Sequence, residues 1–268
     1  MNLFLASCLS LFTLSALAAV PKSDEIRLLK NPVARKHSVQ KEDLYSLDKL
    51  QKMFAADASS PEFVSLLKRH TLRHRQKAVP LLINVMKSSK YPDQNRWHAT
   101  MLLGRIMGKK SAPFIAKFSD HPHWMMRVAS LKALLALKQN TYVKIYSKAL
   151  QDPSLIVRVQ ALDNISQMKI KTLAPHVWQM MYDGSNYSGD VGNRKRTSIV
   201  KTVIRTLGDL RFEKARGPLL KLIQKSDYAD LQDDLDYSLE KITGLRSPDA
   251  NRKKFWAKQA IASSNKKI

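Results

Sequence analysis

The sequence predicts an all-α protein of about five stacked helix pairs with capping helices, and three observations carry that expectation. Arg96, Arg127 and Arg158 recur at an interval of 31 residues, each seven residues before an apolar one, Leu103, Leu134 and Ile165. Around two of them the chain writes nearly the same phrase twice, HPHWMMRVASL at 121–131 and DPSLIVRVQAL at 152–162. Between the Arg segments lie shorter apolar ones: AVPLLINVMK from 78, SAPFIAKFS from 111, TYVKIYSKAL from 141, LAPHVWQMMY from 173 and ARGPLLKLI from 215. A fixed period near thirty marks units that bury their apolar faces only by stacking on neighbours.

Taken in order, residues 22–40 read as extended and basic, and 41–56 as a capping helix with Leu44, Leu47, Leu50 and Phe54 on one face. First helices of the pairs are expected near 61–73, 93–107, 122–138, 154–168 and 194–209, where apolar residues recur at helical spacing, as in Val157, Ala161, Leu162 and Ile165. Polar starts such as Asp152 and Ser154 beside Pro153 support these boundaries. The second helices carry proline in the first turn in four of five cases, Pro80, Pro113, Pro175 and Pro218, where its missing N–H is not needed. From Ile165 to Leu207 the interval lengthens to 42 residues, and the surplus is the glycine-rich insertion YDGSNYSGDVG at 182–192. Val200 then occupies the Arg slot. LDYSLEKITG, 235–244, closes the series, and 245–268 is a basic tail with a helical stretch near 249–262 anchored by Phe255 and Trp256.

The phrases PSLIVRVQAL, NRWHATMLLGRIMGKKSAPFI and AVPLLINVMK resemble HEAT repeats, in particular the short bacterial type also seen in bilin lyases. The resemblance covers about 61–244 and fits best in units two to four. It implies a right-handed α–α superhelix, a HEAT-like solenoid, with the second helices lining a concave surface. It also implies a structural use of the repeated Arg96, Arg127 and Arg158, paired with the aspartates that open the units, Asp93, Asp120 and Asp152. The chain then divides into a signal segment at 1–18, a basic segment with capping helix at 19–60, the repeats at 61–244 and a tail at 245–268.

The signal follows from the first twenty residues, which carry no charge and end in small residues, with Ala16-Leu17-Ala18 fitting signal-peptidase cleavage. The expectation is a periplasmic or secreted protein without stable membrane insertion once the signal is removed. No Lys or Arg precedes the apolar run, so an uncleaved anchor stays open; Leu5-Ala6-Ser7-Cys8 resembles a lipobox, so lipidation does too. Cys8 is the only cysteine, and a mature chain without it has no disulfide, thiolate nucleophile or cysteine-bound metal.

Enzymatic readings fail on the carboxylates. No glutamate lies between Glu62 and Glu213, and the aspartates there fall mostly at helix ends and loops, so no pair for general acid and base work can be nominated. P-loop, dinucleotide-turn and GxSxG patterns are absent. His70 and His74 share a helix face but sit among cations without a third ligand; His98, His121 and His123 read as packing. Asp183, Asn186, Asp190 and Asn193 do not have calcium-loop spacing. We therefore expect no catalytic residues, no metal and no cofactor.

Charge is the informative feature. Lys and Arg outnumber Asp and Glu by 46 to 22, for a net charge of +24. Over the second-helix segments eleven basic residues stand against Glu213 alone. Like charges stacked unit upon unit repel, and a surface that accepts this has an anionic partner. The expected groove residues are Phe114, Lys117, Phe118, Lys144, Lys148, His176, Gln179, Lys221 and Lys225, with Ile115, Ile145 and Tyr146 on the core side; Phe114 and Phe118 fit burial between repeats equally well. Acids collect in the last repeat helix, Asp227, Asp230, Asp233, Asp234, Asp236 and Glu240, as a solubilising cap or a contact for Arg252 to Lys254 of the tail. The expected function is a non-catalytic exported scaffold for an acidic protein or an anionic polymer. Nucleic-acid binding, including a HEAT-like DNA glycosylase, is the alternative if the chain is not exported; a bilin-lyase-like enzyme is a third.

Overall fold

The computed structural model describes residues 46–57, 60–188, 195–196 and 198–265. The expected signal at 1–18, the basic stretch 22–40, Leu44, Asp190 and Asn193 lie outside the described residues. The chain divides into two units, 1–49 and 50–268, and all that follows concerns the second apart from the start of the first helix.

Thirteen α-helices are described: α1 Leu47–Ala55, α2 Pro61–His74, α3 Val79–Lys87, α4 Asp93–Met107, α5 Ala112–Ala116, α6 Trp124–Ala136, α7 Val143–Ala149, α8 Leu155–Gln167, α9 Ala174–Gln179, α10 Ile199–Asp209, α11 Arg216–Leu222, α12 Gln232–Thr243 and α13 Arg252–Asn265. A two-residue antiparallel ladder, β1 Tyr187–Ser188 with β2 Lys195–Arg196, is the only sheet among the described residues. The protein is all-α. No described helix is long and apolar enough to cross a membrane.

From α1 to α12 shorter and longer helices alternate, and the longer ones stack in sequence order: α4 on α6, α6 on α8, α8 on α10 and α10 on α12. One continuous apolar core runs through them, from Leu50 and Phe54 to Leu239 and Trp256. Leu47, expected on the buried face of α1, is instead 39% exposed, because it is the first residue of that helix.

Small polar residues tie three of the longer helices to earlier ones. Buried Asn164 of α8 donates Nδ2–H to the Leu131 carbonyl of α6 at 2.8 Å. Ser238 of α12 does the same with Oγ–H to Ile204 of α10 at 2.7 Å, and Asn95 of α4 reaches the carbonyls of Phe54 and Ala56 at 2.7 and 2.6 Å. Each bond meets a buried polar demand that would otherwise cost about 1–3 kcal/mol.

Within every pair the chain turns through a positive-φ residue: Arg75, Gly108, Lys138, Lys169 and Arg211. Three of these joints are Schellman motifs. Gln139 N–H reaches Leu134 O at 2.9 Å while Lys138 N–H reaches Leu135 O at 2.8 Å; Ile170 with Lys169, and Phe212 with Arg211, repeat the pattern. Glycine usually fills that slot, and here Lys or Arg holds the left-handed conformation in three units of the series.

α10 and α12 approach unusually closely because Gly208 has no side chain. A Cβ there would stand 2.6 Å from Ser238 Cα and 2.9 Å from its Oγ. Alanine is otherwise the better helix residue by about 1 kcal/mol. Gly208→Ala is nonetheless expected to destabilise by about 1–3 kcal/mol, since the obstruction is backbone rather than a movable side-chain end. Urea unfolding of the two proteins checks this, and a stabilised variant would refute the close approach.

His98 of α4 is 7% exposed, and its Nε2 meets no hydrogen-bond partner. Burial, then the neighbouring Lys68 ammonium, pushes its imidazole down to about 4. A depressed folded-state value means the unfolded chain binds the proton first as pH falls. The stability from keeping His98 neutral is therefore complete above about 6.5 and is lost progressively down to about 4, at most roughly 3 kcal/mol in all. His98→Gln should flatten that part of the stability-versus-pH curve, measured by urea unfolding at intervals between pH 7 and 4.

The tail is a built part of the fold. Trp256 is fully buried and donates Nε1–H to Asp236 at 2.6 Å, while Arg252 bridges Asp233 at 2.6 Å and Asp236 at 3.3 Å. Asp234 and Asp236, expected to form part of a solubilising end cap, are nearly buried; Asp234 pairs with Arg205 at 2.8 Å. The acids of α12 thus hold cations and an indole in place as well as facing water.

Candidate anion-binding face

The second-helix segments present their charge outward. Lys77, Lys87, Lys90, Lys117, Lys144, Lys148, Lys171, Lys214, Lys221 and Lys225 are exposed, and Arg216 is half-buried. The helices produce this by their apolar side: Leu82, Val85 and Met86 in α3, Ile115 in α5, Tyr146 in α7, Val177 in α9, and Leu219 and Leu220 in α11 are buried, so the remaining positions face solvent. Ile145, expected on the core side beside Tyr146, is half-buried.

Of the expected groove residues, Lys117, Lys144, Lys148, His176, Gln179, Lys221 and Lys225 are all exposed. Lys148 lies 2.8 Å from Asp120, but both side chains are largely in water and such pairs contribute little. Phe114 is half-buried, with the Lys87 ammonium 5.7 Å above its ring. Phe118 is a correction: it is buried and meets Phe114 edge-on with centroids 5.5 Å apart. The reason is local. α5 ends at Ala116 and continues as a 3₁₀ turn, Lys117–Asp120, whose tighter winding brings Phe118 in line with buried Ile115.

The repeated arginines do not join this face. Arg96 and Arg158 are buried, and their guanidinium groups are engaged locally. Arg96 donates to Asp93 at 2.8 Å and to the Met86 carbonyl at 3.1 and 3.3 Å; Arg158 donates to the carbonyls of Asp152 and Ser185 at 2.8 and 3.1 Å. Arg127 forks onto Asp152 with two bonds of 2.7 Å and caps the carbonyls of His121 and Pro122 at 2.9 Å. Asp120 takes Lys148 rather than an arginine. Arg96 also stands 2.9 Å from His121 Nε2, and a guanidinium can only donate, so that nitrogen accepts. Burial, then the Arg96 charge, holds this imidazole below its usual range.

A cleft of about 1060 Å³ opens at the end of the face, between α9, the segment leading into α11, and α13. Trp178, Tyr182, Tyr187 and Tyr228 contribute aromatic surface, while Lys214, Lys221 and Lys225 contribute charge. Sequence reasoning found Lys221 and Lys225 but not the cleft, because its far wall is α13, which is distant in the chain. No group of three His, Cys, Asp or Glu side chains able to hold a metal occurs among the described residues.

Fold and site together define an all-α protein of stacked helix pairs with one strongly cationic set of exposed helix positions. Compared with protein-family models and with curated proteins, the chain matches none.

Proposed function

We propose that this chain is an exported, non-catalytic HEAT-like scaffold of about five helix pairs, wound as a right-handed superhelix, that binds an acidic protein or an anionic envelope component along a concave groove of second helices. The observation that carries the reading is the exposure of ten lysines on those segments, within which Glu213 is the only acidic residue. The sequential stacking of α4, α6, α8, α10 and α12 supports the solenoid, since each layer buries its apolar face on the next. The local engagement of Arg96, Arg127 and Arg158 supports a structural role for the repeated arginine, and the scatter of the carboxylates supports a binding rather than a catalytic protein.

Export separates this reading from nucleic-acid binding, because an exported protein is kept from chromosomal DNA. The test is the mass and N-terminal sequence of the protein from fractionated cells of its native host. A start near Ala19 in the periplasmic or secreted fraction is expected. An intact Met1 in the cytoplasmic fraction would overturn export and make nucleic acid the leading partner.

A further inference from the structure

We infer that the cleft beside α13 binds an acidic oligosaccharide, which names a ligand class for the anion-binding face proposed above and rests on that reading. The cleft measures about 1060 Å³, just above the range of roughly 300–1,000 Å³ usual for a single small ligand, so it has room for a short oligomer.

Three features of its lining define the ligand. The first is aromatic surface kept in water. Trp178 and Tyr182 meet edge to face with centroids 5.4 Å apart, and Tyr182 is 71% exposed, the most exposed large apolar side chain described. An edge-to-face pair leaves a ring face open for a flat, weakly polar partner such as the C–H face of a sugar. The second is charge. Lys214, Lys221 and Lys225 are exposed and form no salt bridge among the described residues. They suit the carboxylate or phosphate substituents of an acidic glycan.

The third feature decides between polyanions. Glu213 and Gln259 line the same cleft. A carboxylate accepts hydrogen bonds from the hydroxyls of a sugar, and an amide both donates and accepts. A nucleic acid has a phosphate at every residue, which the Glu213 carboxylate would repel. An acidic peptide has no repeated ring face to cover Tyr182. Alternating ring faces, hydroxyls and spaced anionic groups satisfy all three features together.

Isothermal titration of the full chain with hyaluronan hexasaccharide, neutral chitohexaose, dT6 and hexaglutamate tests the inference. Hyaluronan hexasaccharide should bind at least about tenfold more tightly than chitohexaose or dT6. Tyr182→Ala and Lys221→Glu should each weaken it by about tenfold. Arg69→Glu, an exposed charge reversal on α2, should leave it unchanged. Tyr182 lies outside the core, so the variant should keep the wild-type unfolding curve, which controls for misfolding. Equal affinity for the acidic and neutral sugars, tighter binding of dT6, or an unaffected Tyr182→Ala variant would each overturn the inference. If hexaglutamate binds and the hexasaccharide does not, the anion-binding reading stands and the oligosaccharide site falls; if no anion binds, both fall.

Discussion

Trp256→Ala is expected to lower the free energy of unfolding by about 3–5 kcal/mol, the range for removing a fully buried tryptophan side chain. The indole is fully buried although only twelve residues follow it in the sequence, and Phe255 packs edge-on against it with centroids 4.9 Å apart. Its Nε1–H is one of the donors that satisfy Asp236, which also takes Ser247 Oγ–H at 2.6 Å. The alanine variant therefore opens a cavity and leaves a nearly buried carboxylate short of a partner. Trp256→Phe keeps much of the packing and loses the hydrogen bond, so a loss of about 1–3 kcal/mol is expected. Urea unfolding measures both, and limited proteolysis should cut within 252–265 in the alanine variant first. A Trp256→Ala protein as stable and as resistant as the wild type would mean that α13 is not part of the fold. Because Gln259, Ala260 and Ala262 line the cleft, release of α13 should also abolish hexasaccharide binding.

Arg127→Ala is expected to cost about 3–5 kcal/mol, as for a buried ion pair broken from one side. Side-chain exposures of 12% for Arg127 and 9% for Asp152 put this pair in a different class from the surface pair of Lys148 and Asp120. Asp152 Oδ1 also accepts the Ser154 N–H at 2.8 Å at the start of α8, so the pair ties one unit to the first turn of the next. Lysine cannot reproduce the two-pronged contact, and Arg127→Lys should recover only part of the loss. Removing the charge as well, in Arg127→Met with Asp152→Asn, should cost less than the sum of the single changes, because no unpaired carboxylate remains. A double-mutant cycle by urea unfolding gives the coupling; additive losses would contradict a direct buried pair.

What could be read from the sequence were the features with a period. The 31-residue spacing and the apolar positions placed α4, α6, α8 and α10 within a few residues, as did the prolines for α3, α5 and α9. The exposed lysines followed from the same periodicity. Features without a periodic signal were missed. The joints are Schellman turns at Lys138, Lys169 and Arg211, where the usual glycine cue is replaced by a basic residue. Continuous α-helical spacing puts Phe118 on the groove side, and the change to 3₁₀ winding after Ala116 carries it inward. Gly208 looks like an ordinary weak helix position until Ser238 is seen against it. The aromatic cleft needs α13 folded back beside α11, a long-range contact that no local pattern encodes.

The account rests on the second-helix face as the binding surface rather than on net charge alone. The most direct test compares two triple charge reversals of equal net charge: Lys117→Glu, Lys144→Glu and Lys221→Glu on the face, against Arg69→Glu, Arg105→Glu and Lys201→Glu at exposed positions on first helices. Binding of fluorescent poly-L-glutamate at one fixed salt concentration should fall by about ten- to a hundredfold for the first set and change little for the second. Equal losses in the two sets would show that the cationic charge acts as a whole, and would contradict a defined binding face.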